Sequence, residues 1–228
     1  MRFLCLHGFG TNSKIFETQT AAIRYDLGDH HTYEFVEGTL PSPVAPGLHG
    51  IASADDEFFS YVDLDDLDTC TSALINLDTY IAEEGPFDGV LAFSQGAMIA
   101  ATYIIWKTRQ DPVLQRNSPT FRCAVFFPSW DPYDPDLLWK SCLRPMTHSA
   151  DGEMIQIPTA HIWGQDDISS AKAANLSGIC SSRTRQVYVH PGGHEVPGAK
   201  MNVAVKSSIR IIRRTISLAD EITRTDRK

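Results

Sequence analysis

A single serine, Ser94, lies between an apolar run and a helix-forming run in the segment Gly89 to Ala97. Small residues, Ala92 and Gly96, stand two places to either side of it. This spacing is typical of a nucleophile elbow, the sharp strand-to-helix turn that exposes a serine hydroxyl above a sheet. The usual pattern is G-x-S-x-G, and alanine at the first glycine position is a small-for-small change. The alternative is a serine that only caps the helix after it.

A serine hydroxyl is a weak nucleophile near neutral pH, so it needs a base to take its proton and an acid to orient that base. In folds with such an elbow, the acid and then the histidine follow the serine along the chain. Asp166 and Asp167 follow one strand-like run, and His190 and His194 follow the next. We interpret His194 as the base, because the glycines before it let the loop reach the serine, and His190 as structural. Both aspartates are candidates for the acid, although such a pair is also typical of a turn.

The loop after the first apolar run supplies the fourth part of the predicted site. It reads His7-Gly8-Phe9-Gly10, and glycine lets the backbone turn under the nucleophile. We predict an oxyanion hole formed by the backbone N–H groups of Phe9 and Gln95. Loss of one such donor typically costs about 3 kcal/mol of transition-state stabilisation. We interpret His7 as a packed side chain that holds the loop rather than as a group that transfers protons.

Six short apolar runs predict the strands that position these residues. Most are continuous rather than alternating, as in buried parallel strands. The predicted strands are Arg2 to Leu6, His31 to Val36, Gly89 to Phe93, Arg122 to Phe127, Thr159 to Trp163 and Gln186 to Val189, and the clearest helices are Lys14 to Tyr25, Leu64 to Glu84, Gly96 to Arg109 and a terminal helix within Ala199 to Ile222. This alternation predicts a single α/β domain over residues 1–228, with a mostly parallel six-stranded sheet, helices on both faces and a small or absent lid.

Two long stretches, Glu37 to Asp63 and Ser129 to Gln156, have no regular pattern. Structureless loops of such length are usually functional or disordered. Their aromatic content favours packed loops that wall a pocket, and the second stretch is either a small lid or a helix with loops. Because acyl pockets are mostly apolar, we predict that the pocket is formed by Phe58, Phe59, Tyr61, Trp130 and Tyr133.

Composition limits the class of protein. No apolar run reaches the roughly 20 residues that a membrane span needs, and the N-terminal residues do not form a signal-peptide pattern. The five cysteines include no C-x-x-C pair and no zinc spacing. We therefore predict a cytoplasmic protein that uses neither a metal nor a cofactor.

The charge is unevenly distributed along the chain, whose net charge is -8. Residues 25–106 hold 15 Asp or Glu and no Lys or Arg, whereas residues 200–228 hold eight basic and three acidic residues. The acidic block argues against nucleic acid as the main partner, because phosphate neutralisation needs Lys and Arg. The basic segment is either a solvated helix end or a docking surface for an acidic carrier protein.

Several motifs together resemble one known family. They are the start Met1 to Asn12, the segments Phe35-Val36-Glu37-Gly38 and Phe87 to Ala97, and the loop Pro191-Gly192-Gly193-His194. Over nearly the whole chain they are similar to the fungal serine hydrolase family of α/β-hydrolases. The resemblance implies a triad of Ser94, Asp167 and His194, because Asp167 matches a G-x-x-D pattern after its strand. The chain departs from the family at Ala92, where glycine is common, and this bears on how tightly the elbow packs.

Within that family, the segment Val36 to Gly38 and the stretch Phe58 to Tyr61 are most similar to members encoded in fungal polyketide pathways. This similarity implies a thioesterase that releases a polyketide or fatty-acyl chain from the acyl carrier protein of a polyketide synthase through an acyl-serine intermediate. A carboxylesterase acting on small free esters is the alternative, because the same triad serves both reactions. A non-catalytic binding protein on a hydrolase fold is a third hypothesis, against which the intact set of three residues argues.

Overall fold

The computed structural model describes residues 1–48, 53 and 55–225. Residues 49–52 and 54 of the predicted loop 37–63, and residues 226–228 of the basic segment, lie outside this range. The strands are β1 (Arg2–Leu6), β2 (Thr32–Val36), β3 (Leu40–Pro41), β4 (Phe59–Ser60), β5 (Gly89–Ser94), β6 (Cys123–Ser129), β7 (Thr159–Gly164) and β8 (Gln186–His190). The helices are α1 (Ser13–Gln19), α2 (Ala21–Leu27), α3 (Leu67–Glu84), α4 (Gln95–Gln110), α5 (Pro112–Asn117), α6 (Pro135–Leu138), α7 (His148–Asp151), α8 (Ser170–Ile179) and α9 (Asn202–Thr225), the last preceded by a 3₁₀ turn at Ala199–Met201.

Six of the strands form one sheet in the order β2-β1-β5-β6-β7-β8, and every neighbouring pair is parallel. The predicted α/β fold with a six-stranded sheet is therefore confirmed. In a parallel sheet all carboxyl ends lie at one edge, where such folds bind ligands. The loops that follow β1, β5, β7 and β8 carry the predicted site residues, so they meet at this edge.

Two apolar layers cover the two faces of the sheet, because successive side chains of a strand point to opposite faces. On β5, Val90 and Ala92 belong to the layer shared with α3 and α4. Leu91 and Phe93 belong to the layer shared with α1, α2 and α9. Helices on both faces bury the strands, which explains why β5 is apolar from Val90 to Phe93.

The structure differs from the predicted helices in detail. The segment predicted as one helix from Lys14 to Tyr25 is two helices, α1 and α2, which meet at Thr20. Helix α8 was not among the clearest predicted helices, because its Ser- and Ala-rich sequence has little contrast between an apolar and a polar side.

The irregular stretch from Ser129 to Gln156 contains two short helices with loops, α6 and α7. Within the described part of the chain, no helix is both long enough and apolar enough to cross a membrane.

Candidate active site

Ser94 lies at the turn from β5 into α4 and is buried. Its backbone has φ 54° and ψ −117°, a conformation that non-glycine residues rarely adopt and that is often held at functional sites. The turn is crowded, because a Cβ added at Gly96 would lie 2.4 Å from the carbonyl oxygen of His7. A Cβ added at Gly8 would lie 3.2 Å from Cβ of Ser94. Glycine at both positions therefore lets the first loop pass directly beside the serine.

His194 and Asp167 form a hydrogen-bonded chain with this serine. His194 Nε2 is 3.0 Å from Ser94 Oγ, and His194 Nδ1 is 2.9 Å from Asp167 Oδ2. The Asp167 side chain is fully buried, whereas that of His194 is 32% exposed. A buried carboxylate that accepts a hydrogen bond from Nδ1–H keeps the proton on Nδ1 and leaves Nε2 free to accept a proton from the serine.

Two crossing loops bring the base and the acid together. The loop after β7 donates hydrogen bonds from the N–H of Gln165 to His190 O at 2.8 Å and from the N–H of Asp166 to Gly192 O at 2.9 Å. A Cβ added at Gly164 would lie 2.1 Å from Gly192 O. These contacts fix the loop that carries Asp167 against the loop that carries His194.

The neighbours of the proposed acid and base take other positions. Asp166 is exposed and its carboxylate makes no hydrogen bond within the described residues, so Asp167 is the aspartate brought to His194. His190 is fully buried, and neither of its ring nitrogens has a hydrogen-bond partner in the described part of the chain. Burial lowers the pKa of His190 below its usual value, which keeps the ring neutral.

The backbone amides of Phe9 and Gln95 are the two predicted oxyanion donors. Gln95 is the first residue of α4, where an N–H has no acceptor inside the helix. The N–H of Phe9 has no acceptor among the residues that the structure describes. These two donors, one directly after Ser94 and one directly after Gly8, have no acceptor within the described residues and are suited to hold a negative oxygen, and the positive end of the α4 dipole supports it.

The loop that carries Phe9 is held by residues of the first irregular stretch. The N–H of Gly10 donates to Phe59 O at 3.0 Å, and the N–H of Phe59 donates to Thr11 O at 2.8 Å. The N–H of His7 donates to the hydroxyl of Tyr61 at 3.1 Å, and that hydroxyl donates to Val36 O at 2.8 Å.

The imidazole of His7 also bonds to backbone. Its Nδ1 lies 2.7 Å from Gly8 O, and the N–H of Gly38 donates to its Nε2 at 2.9 Å. The ring therefore holds the loop, as expected for a packed histidine.

The side chain of Gln95 ties the same stretch to the elbow. Its Oε1 accepts the N–H of Tyr61 at 2.8 Å, and its Nε2 donates to Val62 O at 3.0 Å. The residue that offers one predicted oxyanion donor thus also positions the segment that holds the other, a role that sequence reasoning missed.

The five residues predicted to line an acyl pocket are distributed around this edge. Tyr61 is buried, and Trp130 and Tyr133 pack against the same apolar layer. Phe58 and Phe59 are half-buried. Their contact with an acyl chain stays a prediction.

A cavity of about 780 Å³ lies elsewhere, at the amino-terminal edge of the sheet. It is lined by residues that precede β5, β6 and β7, including Phe87, Phe121 and Ile157, and by no member of the candidate triad. Among the described residues, no group of His, Cys, Asp and Glu is arranged to hold a metal ion.

Comparisons with known proteins agree with this geometry. The family described as Serine hydrolase (FSH1) matches residues 1–205. The chain is 40% identical over 200 residues to Esterase FPY3 of Fusarium mangiferae, covering 86% of this chain and 88% of the relative. It is 30% identical to Hydrolase phiM of a fungal species (strain ATCC 74256), covering 92% and 97%.

Among solved structures, the chain resembles a carboxylesterase of Bacillus cereus with a TM-score of 0.55. The match covers 93% of this chain and 87% of that one at 14% sequence identity. At this identity the likeness supports the fold alone.

Proposed function

The chain belongs to the serine hydrolase (FSH1) family, and from that premise we propose that it hydrolyses carboxylic esters of small free molecules, with Ser94 as its nucleophile. The observation that carries the proposal is the 3.0 Å contact between Ser94 Oγ and His194 Nε2 at a strained elbow. Membership in a hydrolase family argues against a non-catalytic binding protein.

The acylation step follows from the positions of the groups. His194 Nε2 takes the Ser94 proton as Oγ bonds to the acyl carbon, and Asp167 keeps the other ring nitrogen protonated. The carbonyl oxygen becomes an oxyanion that accepts hydrogen bonds from the N–H groups of Phe9 and Gln95. Collapse of this intermediate expels the alcohol, which receives its proton from His194.

Deacylation repeats these steps with water. His194 takes a proton from a water molecule that attacks the acyl carbon of the acyl-Ser94 ester. The second tetrahedral intermediate uses the same two amides, and Ser94 leaves with the proton held by His194. The products are the free acid and the unmodified serine.

Two observations favour a free ester. The relative at 40% identity is named an esterase. Exposed acidic residues also lie next to the segment that Gln95 holds: Asp63, Asp65, Asp66 and Asp68. Like charges repel, so these four carboxylates disfavour docking of an acidic carrier protein next to this segment.

The second candidate is a carrier-bound acyl thioester, the substrate implied by the resemblance to polyketide-pathway members. It is favoured by exposed basic residues that follow His194 in the chain. Lys200 follows His194 by six residues, and Lys206 lies near the start of α9. An acidic carrier protein that docked on these lysines would meet complementary charge.

The test compares rates for acyl groups of graded length, presented as free oxygen esters and as carrier-bound thioesters, with Ser94→Ala as the blank. We expect faster turnover of free esters and a loss of at least about 10³-fold in the Ser94→Ala variant. Preferential turnover of carrier-bound thioesters would select the second candidate instead. Hydrolysis by Ser94→Ala at the wild-type rate would remove Ser94 from the mechanism.

A further inference from the structure

Ser169 lies two residues after Asp167, at the N-cap of α8, and is 7% exposed. A serine at this position normally accepts a hydrogen bond from a backbone N–H in the first turn of the helix. The Ser169 side chain makes no such bond. Helix capping therefore does not explain where its hydroxyl lies.

The hydroxyl lies between the acid and the base of the candidate triad. Ser169 Oγ is 2.9 Å from Asp167 Oδ1 and 3.2 Å from His194 Nδ1. A carboxylate can only accept, so the hydroxyl donates a hydrogen bond to Asp167 and turns a lone pair toward the N–H of His194. The Ser169 N–H donates to the same carboxylate oxygen at 2.7 Å.

We propose that Ser169 is a positioning residue that holds Asp167 and His194 in the orientation needed to take the proton of Ser94. The inference rests on the proposed function, because it assumes that these three residues form the working triad. The hydroxyl dipole points its positive end at the carboxylate and its negative end at the imidazole. It therefore stabilises the aspartate–imidazolium pair that forms as His194 takes the proton, when hydrogen bonds to the ring become charge-assisted.

The kinetic test uses Ser169→Ala and Ser169→Thr on a chromogenic short-chain ester. We expect Ser169→Ala to lower kcat about 10-fold, the size of one hydrogen bond to a charged group, with KM within about two-fold because Ser169 acts through the triad. Ser169→Thr keeps the hydroxyl and should restore kcat.

Ser170→Ala is the matched control, because the Ser170 side chain makes no hydrogen bond within the described residues. It should match wild type in kcat. The melting temperatures of all variants should agree within a few degrees, since none removes a helix cap.

A second readout needs no turnover. The proton on His194 Nδ1 should change its NMR chemical shift in Ser169→Ala and return in Ser169→Thr. A kcat within about two-fold of wild type in Ser169→Ala, a loss that threonine does not restore, or an equal loss in Ser170→Ala would overturn the inference. Failure of the proposed function has a different signature: wild type would hydrolyse no ester faster than Ser94→Ala, while the NMR shift would still report on Ser169.

Discussion

The backbone conformation of Ser94, with a positive φ, restricts which residues can lie beside it. A positive φ at a serine costs conformational energy, so the surroundings must hold it there. The first loop packs tightly against the turn, through Gly8 within the loop and against Gly96 in α4. A Cβ at either position would collide with neighbouring atoms. Ala92 is fully buried between β1 and β6, so the elbow forms with alanine at the position where glycine is common.

The adjacent carboxylates Asp166 and Asp167 provide a matched pair for a test at this scale. Asp167→Asn should lower kcat by about 10⁴-fold, because an amide removes the charge that fixes the His194 tautomer. Asp166→Asn should leave kcat within about two-fold, since this exposed carboxylate makes no hydrogen bond in the described chain. Steady-state kinetics of both variants check the prediction, and similar losses in the two would contradict it.

Ser94 and His194 could be proposed from the sequence because their signals are local. Each follows a strand-like run, and each has glycine close by to permit a tight loop. The roles of Ser169 and the Gln95 side chain also depend on distant residues, since Ser169 contacts His194 25 residues away and Gln95 contacts Tyr61 and Val62, 34 and 33 residues away. A serine before a helix reads as a cap, and only the structure shows its hydroxyl turned toward His194.

At the scale of elements, the first irregular stretch acts as a brace for the first loop. Its strands β3 and β4 pair with each other, and Phe59 also pairs with Thr11 in that loop. Tyr61 and Gln95 then connect the brace to β2 and α4. A loop that was predicted to wall a pocket thus also supports the peptide that carries the Phe9 amide.

Tyr61→Phe tests this brace. Removing the hydroxyl leaves the buried N–H of His7 without its acceptor and Val36 O without its donor. We expect the free energy of unfolding to fall by about 1–3 kcal/mol and kcat to fall about 10-fold, because the loop with the Phe9 amide loosens.

Tyr188→Phe is the control for that variant. Tyr188 is half-buried on β8, and its hydroxyl makes no hydrogen bond within the described residues. Urea unfolding and steady-state rates should leave it close to wild type. Equal effects of the two substitutions would show that the Tyr61 hydroxyl has no special part in the site.

Elements with a concentrated run of apolar residues were predicted correctly. Elements whose bounds depend on local backbone geometry or tertiary contacts were not. Each strand of the six-stranded sheet lies within two residues of its predicted bounds. The break at Thr20, where the backbone has φ −88° and ψ −4°, interrupts a helical pattern that the sequence continues from Lys14 to Tyr25. The short strands β3 and β4 have two residues each, too few for a periodic pattern to show.

At the scale of the whole molecule, charged residues far apart in the chain pair across elements. Arg122 links Asp88 before β5 to Asp220 on α9. The second irregular stretch is attached to α4 in the same way, because Asp134 accepts from Arg109 at 2.9 Å and also from Arg144. The uneven charge is visible in the sequence, whereas these pairings require the fold.

The Asp134 pairs should make stability depend on pH. Burial alone would raise the pKa of Asp134, but hydrogen bonds from Arg144 and Arg109 outweigh it and lower the pKa below its usual value of 3.8. A carboxyl whose pKa is lower in the folded state stabilises the fold above its unfolded pKa, and this stabilisation is lost as pH falls through the folded pKa. Asp134→Asn should therefore lower the free energy of unfolding by about 2 kcal/mol at pH 7, and the difference from wild type should shrink below about pH 4.

Asp136→Asn is the control for this last prediction. Asp136 pairs with the same Arg109 at 2.6 Å, but its side chain is 62% exposed. Solvent screens such a pair, so the change in the free energy of unfolding should stay within about 0.5 kcal/mol. Urea titrations at pH 7, 5 and 3 separate the cases. A difference between Asp134→Asn and wild type that stays constant down to pH 3 would mean that Asp134 stabilises the segment through its shape and hydrogen bonds, and not through its charge.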